Sequence, residues 1–318
     1  MLDELSELQI LAIPLRNKFR GITVREVAIF RGEYGWSEFS PFLEYGDEES
    51  ATWLQAALEA ANTPWPTLYR ERIPINATLP PVEPEEVPDI LARFSGCKTI
   101  KIKIEDFDKG AQLVEAVLNI QPEMVIRLDV NGRWSAEQAI LNLIKYHERF
   151  GEIFDYVEQP ALTLSDLAKI KSNVPIRIAA DESIRKNLSA DFTNFSQYAD
   201  VAILKWQPLG GFVAAHKIAD EIQLPVVISS ALETGIGISH GLALAASFSS
   251  ETKACGLGTV ALLSDDISQP DVQINEGFIE VKSREPVHFE KYLAPPERAI
   301  YWEQRILRAL EVLERRRA

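Results

Sequence analysis

One regularity constrains this chain more than any other: eight short β-branched runs recur through its middle at a near-constant interval. They are Ile73–Leu79, Thr99–Ile104, Val125–Asn131, Ile153–Gln159, Ile176–Ser183, Val201–Gln207, Pro225–Ala231 and Ala254–Thr259. Their starts lie between 23 residues (153 to 176) and 29 residues (225 to 254) apart. That interval holds one strand, one helix and two short loops. Helical patterns occupy most gaps: Pro84–Phe94, Lys109–Ile120, Ser135–Phe150, Thr163–Lys171 and Gly211–Ile222. The third opens on a capping box, Ser135-Ala-Glu-Gln138. Strands that alternate with helices build a parallel sheet, and eight of them close into a (β/α)8-type barrel. An open doubly wound sheet is the runner-up. It calls for a glycine-rich phosphate loop after the first strand, and Asn76–Val82 is not one.

The ends lack this rhythm. Leu8–Pro14, Ile22–Arg31 and Gly35–Glu38 read as strands, with a turn at Gly32–Gly35 and a helix over Ala51–Ala61. The tail offers a strand at Gly277–Lys282 and a charged helix over Pro296–Arg317, whose Leu307, Leu310 and Leu313 form a docking stripe. The expected organisation is an α/β chain: an N-terminal α+β capping domain over 1–72, the barrel over 73–263, and a segment over 264–318 that returns to the cap.

Charge and cysteine usage narrow the function classes. With 33 Lys+Arg against 47 Asp+Glu, the net charge is −14. That field repels phosphate and argues against nucleic acid or an anionic membrane as partner. No apolar run approaches the roughly 20 residues of a membrane span. The opening Met1–Leu8 is acidic and lacks the basic region and apolar stretch of a signal peptide, which points to the cytoplasm. Cys97 and Cys255 are too few for a disulfide framework and fit a reducing compartment. His147, His216, His240 and His288 are scattered without metal-ligand spacing.

In a barrel the chemistry gathers at the C-terminal ends of the strands. Three consecutive runs end there in carboxylates: Asp129, Glu158 and Asp181. Neighbouring strands are about 4.8 Å apart, so three ionised acids at that spacing repel one another unless a cation joins them. An oxygen-only ligand set without His or Cys indicates a hard ion, Mg²⁺, with Mn²⁺ as the alternative. Lys101 and Lys103 alternate on one face of the second run, and Lys205 ends the sixth. Burial and a nearby cation lower a lysine toward a usable base. A substrate carboxylate on the metal and a lysine that removes the alpha proton follow from that set. A Schiff-base lysine is the weaker reading, since it needs no acid triplet.

Lys101-Ile-Lys103, Asp129-Val-Asn131, Val157-Glu-Gln-Pro160, Asp181-Glu-Ser183 and Lys205 resemble the enolase superfamily, in its muconate-lactonizing-enzyme-like subgroup. A lysine base with Mg²⁺ stabilising an ene-diolate is that superfamily's known pattern. Phe19–Glu26, Gly35–Phe42, Lys205–Gly211 and Ser229–Gly235 are further similar to o-succinylbenzoate synthases. The resemblance implies dehydration of 2-succinyl-6-hydroxy-2,4-cyclohexadiene-1-carboxylate, a small-molecule dicarboxylate, in menaquinone or phylloquinone biosynthesis. It implies Lys103 as base and then acid, Lys205 as stabiliser of the dienediolate from the opposite face, and Lys101 as a carboxylate contact that keeps Lys103 less basic. Asp129, Glu158 and Asp181 would bind Mg²⁺. Arg127, Asn131, Ser229 and Ser230 are implied as substrate contacts, and Arg20 as part of a closing N-terminal loop.

Two positions depart from the pattern: Ser37 stands where Gly-Trp-Gly-Glu is usual, and Trp206 follows Lys205 where a small apolar residue is expected. Both bear on packing. A competing enzymatic reading is racemisation of N-succinyl amino acids, or another racemisation or epimerisation of that superfamily, which the same lysine pair would serve. A catalytically silent barrel that binds a partner is the non-enzymatic alternative; the intact acid triplet and three lysines argue against it.

Overall fold

The computed structural model describes residues 5–317, so the first four residues of the acidic opening segment lie outside the described residues. β1 (Ser6–Phe19), β2 (Ile22–Gly32) and β3 (Gly35–Phe39) form an antiparallel sheet in the order β1-β2-β3. Both faces of β2 are apolar, because both are covered. Ala28 and Phe30 join the main core, whereas Val27 and Ile29 pack with Leu11, Ile13, Leu263 and Ile267. Helix α1 (Asp47–Asn62) carries Asp47, Glu48 and Glu49 in its first turn, where the helix dipole favours negative charge. It buries Trp53, Leu54 and a row of alanines that let neighbouring backbones approach closely.

The first predicted barrel run is divided. β4 (Arg72–Pro74) leaves the barrel and pairs antiparallel with a tail strand, whereas β5 (Ala77–Leu79) is the first barrel strand. After the short α2 (Val87–Leu91) come β6 (Thr99–Lys103), α3 (Phe107–Ile120), β7 (Val125–Asp129) and α4 (Ala136–Phe150). Ser135 and Gln138 complete the expected capping box of α4. Then follow β8 (Phe154–Glu158), α5 (Leu164–Lys171), β9 (Ile178–Ala180), α6 (Glu182–Arg185), β10 (Val201–Leu204), α7 (Trp206–Leu209), α8 (Phe212–Ile222), β11 (Val226–Ile228) and α9 (Gly235–Ala246).

The runs expected to continue through Ser183 and Gln207 instead turn helical one residue after Asp181 and Lys205. The parallel order is β11-β10-β9-β8-β7-β6-β5. The eighth expected strand does not form as an element. Its position is filled by Cys255 and Gly256, which bridge in parallel to Ile75 and Ser229 and close the ring. A Cβ on Gly256 would lie 2.5 Å from the Ser229 hydroxyl, so any larger residue there would force Ser229 to shift. Tyr156, Ala179, Val201, Ile203 and Val227 fill the barrel interior.

Beyond the barrel, β12 (Ser268–Gln269) pairs with β14 (Glu285–Pro286), and β13 (Phe278–Glu280) pairs with β4. Helix α10 (Pro296–Arg317) packs on α1. Its buried stripe is Trp302, Arg305, Ile306, Ala309, Val312 and Leu313. Of the three leucines expected to dock, Leu313 is buried and Leu307 and Leu310 are half-buried. A 3.6-residue period starting at Trp302 places the stripe one position away from them. α9 escaped the sequence reading because all twelve of its residues are buried, so it shows no polar face. No helix among the described residues is long and apolar enough to cross a membrane.

Candidate active site

Register brings the polar strand ends to one level. Lys103 pairs with Asp129 and Asp129 with Glu158 across β6, β7 and β8. Asp181 ends β9 and Lys205 ends β10. β6 and β10 lie four positions apart in an eight-position ring, so Lys103 and Lys205 face each other across the mouth.

A cavity of about 450 Å³, its open mouth included, occupies that space. Lys101, Lys103, Asp129, Asn131, Lys205, Ser229, Ser230 and Arg20 all line it, eight of the residues expected from sequence. Glu158 is buried under Lys101 and does not reach the wall, and Asp181 lies behind Lys205. Arg127 is placed elsewhere. It points into the barrel one layer below, donates to Asp155, to Asn76 and to the Ala254 carbonyl, and lies over the Tyr156 ring. Its donors are spent on the barrel interior, so it makes no wall of the cavity.

Each lysine holds a carboxylate. Lys101 Nζ donates to Glu158 Oε2 at 2.9 Å and lies 3.5 Å from Asp129. Lys103 Nζ donates to Asn131 Oδ1 at 2.5 Å, lies 3.3 Å from Asp129, and sits over the Phe19 ring at 4.9 Å. Lys205 Nζ donates to Asp181 Oδ2 at 2.6 Å. These contacts separate the two main lysines chemically. Burial lowers both, but Glu158 and Asp129 outweigh it at Lys101 and hold that amine above the ordinary lysine range. Lys103 ends below that range: burial and the charge of Lys101 outweigh Asp129. The lowered lysine is thus Lys103, and the charge of Lys101 is one cause of its lowering. Among the acids, burial raises Asp129 and Asp181, but Lys103 and Lys101 for the first, and Lys205 and Arg185 for the second, bring them below the carboxylate norm. Glu158 is pushed up to about 7 by burial, with Asp129 and Asp181 adding to it.

Among the described residues, no three His, Cys, Asp or Glu side chains converge on one point as a finished metal cage would. The donor set nonetheless fits a hard cation. Asp129 Oδ1, Asp181 Oδ1 and Glu182 Oε2 are buried without a hydrogen-bond partner, although Arg185 Nε stands 3.2 Å from the second. Unpaired buried carboxylate oxygens are costly, and a divalent ion with oxygen ligands removes that cost.

Sequence reasoning assigned no role to several neighbours. Gln159 accepts from the backbone amides of Asp181 and Ser183 and donates to the Ser183 hydroxyl, so it fixes the turn that presents Asp181. Glu182 accepts from Arg185 and Asn131. Thr78, Phe19, Phe42 and Thr259 line the cavity. Thr78 was findable, because it occupies on β5 the position that Lys101 occupies on β6. Ser37 and Trp206 are both buried, in keeping with a packing role.

Comparisons with known proteins place the chain's fold and family. Residues 10–61 match a family described as enolase N-terminal domain-like, and residues 89–286 one described as enolase C-terminal domain-like. An o-succinylbenzoate synthase of Mycolicibacterium smegmatis is 41% identical over 96% of this chain and 95% of its own. One from Thermobifida fusca is 45% identical over 85% and 86%. Among solved structures, the L-Ala-D/L-Glu epimerase of Bacillus subtilis in a substrate-liganded complex superposes with a TM-score of 0.72 at 20% identity, covering 92% of this chain and all of that one. The dipeptide epimerase of Enterococcus faecalis, complexed with Mg and a dipeptide, gives 0.70 at 19% identity over 89% and 98%. These structures carry the fold, and the sequence relatives carry the family: the chain belongs to the o-succinylbenzoate synthases of the enolase superfamily.

Proposed function

We propose that this carbon–oxygen lyase takes 2-succinyl-6-hydroxy-2,4-cyclohexadiene-1-carboxylate to o-succinylbenzoate with Lys103 as its base. The observation that carries the assignment is the pairing of a lowered Lys103 with Lys205 directly across the barrel mouth. Lys103 Nζ takes the proton alpha to the ring carboxylate. The neighbouring carbon–oxygen bond then breaks with its electron pair on the departing hydroxyl. Lys103 returns the proton to it, water leaves, and the ring becomes aromatic. Lys205, held by Asp181, presents positive charge to the opposite ring face. Lys101 stays protonated beside Glu158 and faces the carboxylate as a cation. Asn131 holds the Lys103 amine in place.

Asp129, Glu158 and Asp181 would hold Mg²⁺, or Mn²⁺ in its stead. When bound, the ion stabilises the negative charge that develops on the substrate carboxylate. Ser229 and Ser230 on one wall and Arg20 at the mouth suit the second carboxylate of the substrate. In this reading residues 1–72 and 264–318 cap a catalytic unit spanning 73–263. The acidic chain with its two free, buried cysteines suits the cytoplasm.

The test is direct. Purified protein with Mg²⁺ should generate the aromatic product, followed by its ultraviolet absorbance. EDTA should stop turnover and added Mg²⁺ should restore it. No turnover with Mg²⁺ present sinks the assignment. The two-faced lysine pair equally suits racemisation of N-succinyl amino acids, and a parallel assay by chiral analysis separates that second reading.

A further inference from the structure

The Tyr45 phenol occupies an unusual position: it accepts from two arginines that serve different parts of the molecule. Arg20 Nη1 and Nη2 both reach Tyr45 Oη at 3.3 Å, and Arg185 Nη1 reaches it at 3.2 Å. Arg20 sits in the β1–β2 turn with a left-handed backbone, φ +49°. It lines both the inner cavity and a larger outer vestibule, so it stands at their boundary. Arg185 belongs to the barrel, where it pairs with Asp181 and Glu182.

Tyr45 itself is fixed. Its ring packs edge-on against Phe42 and tilted on Trp53, and its carbonyl accepts from Arg305. Arg20 Nη2 also donates to the exposed Glu44 at 3.3 Å, on the solvent side. The guanidinium is thus held between the phenol and Glu44 while it lies over the Phe42 ring at 4.1 Å, and without the phenol only the solvent-side carboxylate would hold it.

The geometry points to Tyr45 as a positioning residue whose hydroxyl sets Arg20 over the cavity. The inference rests on the reading of Arg20 as a substrate-carboxylate contact. Removing the hydroxyl leaves the ring packing intact, so Arg20 swings to Glu44 and substrate binding weakens while proton transfer at Lys103 continues.

Steady-state kinetics on Y45F, R20M and the double variant test this. Y45F should raise KM about tenfold, the worth of a lost charge-assisted hydrogen bond, with kcat within about twofold. The double variant should match R20M alone, because Tyr45 acts through Arg20. Thermal melting should show the Phe variant folded as wild type. Limited trypsin digestion should cut faster after Arg20 in Y45F, a readout independent of turnover. Additive KM effects, or a wild-type KM in Y45F beside an active wild-type enzyme, overturn the coupling and leave the dehydration standing. An inactive wild-type enzyme overturns the dehydration instead, and unchanged cleavage in Y45F then overturns the coupling as well.

Discussion

Two clusters of buried carboxylates lie within this molecule, and they are built on opposite plans. At the barrel mouth, Asp129, Glu158, Asp181 and Glu182 face Lys101, Lys103, Lys205 and Arg185 around an open cavity. Beneath the capping sheet, Glu38 and Glu233 share the buried cation Arg25 in a closed interface. All four oxygens of that second pair are partnered. Glu38 accepts from Ser40, Thr234 and the Gly237 amide, and Glu233 accepts from Gln207 and the Ala231 amide. At the mouth three oxygens have no hydrogen-bond partner. The satisfied cluster fits structural work, and the cluster that keeps oxygens unpaired beside a cation-rich cavity fits the ion proposed for it.

The comparison breaks most readily at the lysines. Lys103→Ala and Lys205→Ala should each cut dehydration by about 10²- to 10⁴-fold or more while the far-ultraviolet circular dichroism stays that of wild type. Near wild-type turnover by Lys103→Ala would remove the base from the mechanism. A second effect concerns pH. In the proposed mechanism Lys103 is neutral when it accepts the proton, and it lies below the ordinary lysine range, so the rising limb of kcat/KM should fall below the free-lysine value of about 10.4. A limb above that value contradicts the difference drawn between Lys103 and Lys101.

The smallest effect is reserved for the closed cluster. Burial, with Glu38 beside it, pushes Glu233 up to about 7. Between about pH 4.3 and that value the folded chain binds a proton that the unfolded chain has released, so this group costs stability as pH rises. Glu233→Gln should therefore gain in melting temperature relative to wild type on going from about pH 5 to about pH 8, with little change in KM. A constant difference across that range shows that Glu233 titrates as a free carboxylate.

Much of the mouth was legible in the sequence because strand ends are. A residue that closes a β-branched run in a repeating unit has one place to go, and that logic located Lys101, Lys103, Asp129, Glu158, Asp181 and Lys205. It failed for Arg127 because position on a strand gives the face and not the depth. Arg127 shares the inward face of Asp129 but stops two residues lower. Gln159 and Tyr45 were illegible for another reason. Their roles depend on contacts to residues 22 to 140 positions away, which no local pattern records. The eighth strand was read correctly as a place in the ring and wrongly as an element: Cys255 and Gly256 make isolated bridges there, with Gly256 close against Ser229.

The anchorage of α10 has a consequence for how the molecule is made. Arg305 donates to the carbonyls of Pro41, Phe42 and Tyr45, the stretch that flanks the mouth, across a separation of 260 residues to Tyr45. The whole barrel is encoded between the two. A ribosome therefore releases every strand of the ring before it releases the side chain that clamps this stretch. The barrel can close around its lysines and acids while the rim beside it is still loose. The order of synthesis thus separates assembly of the chemistry from assembly of the wall that admits the substrate.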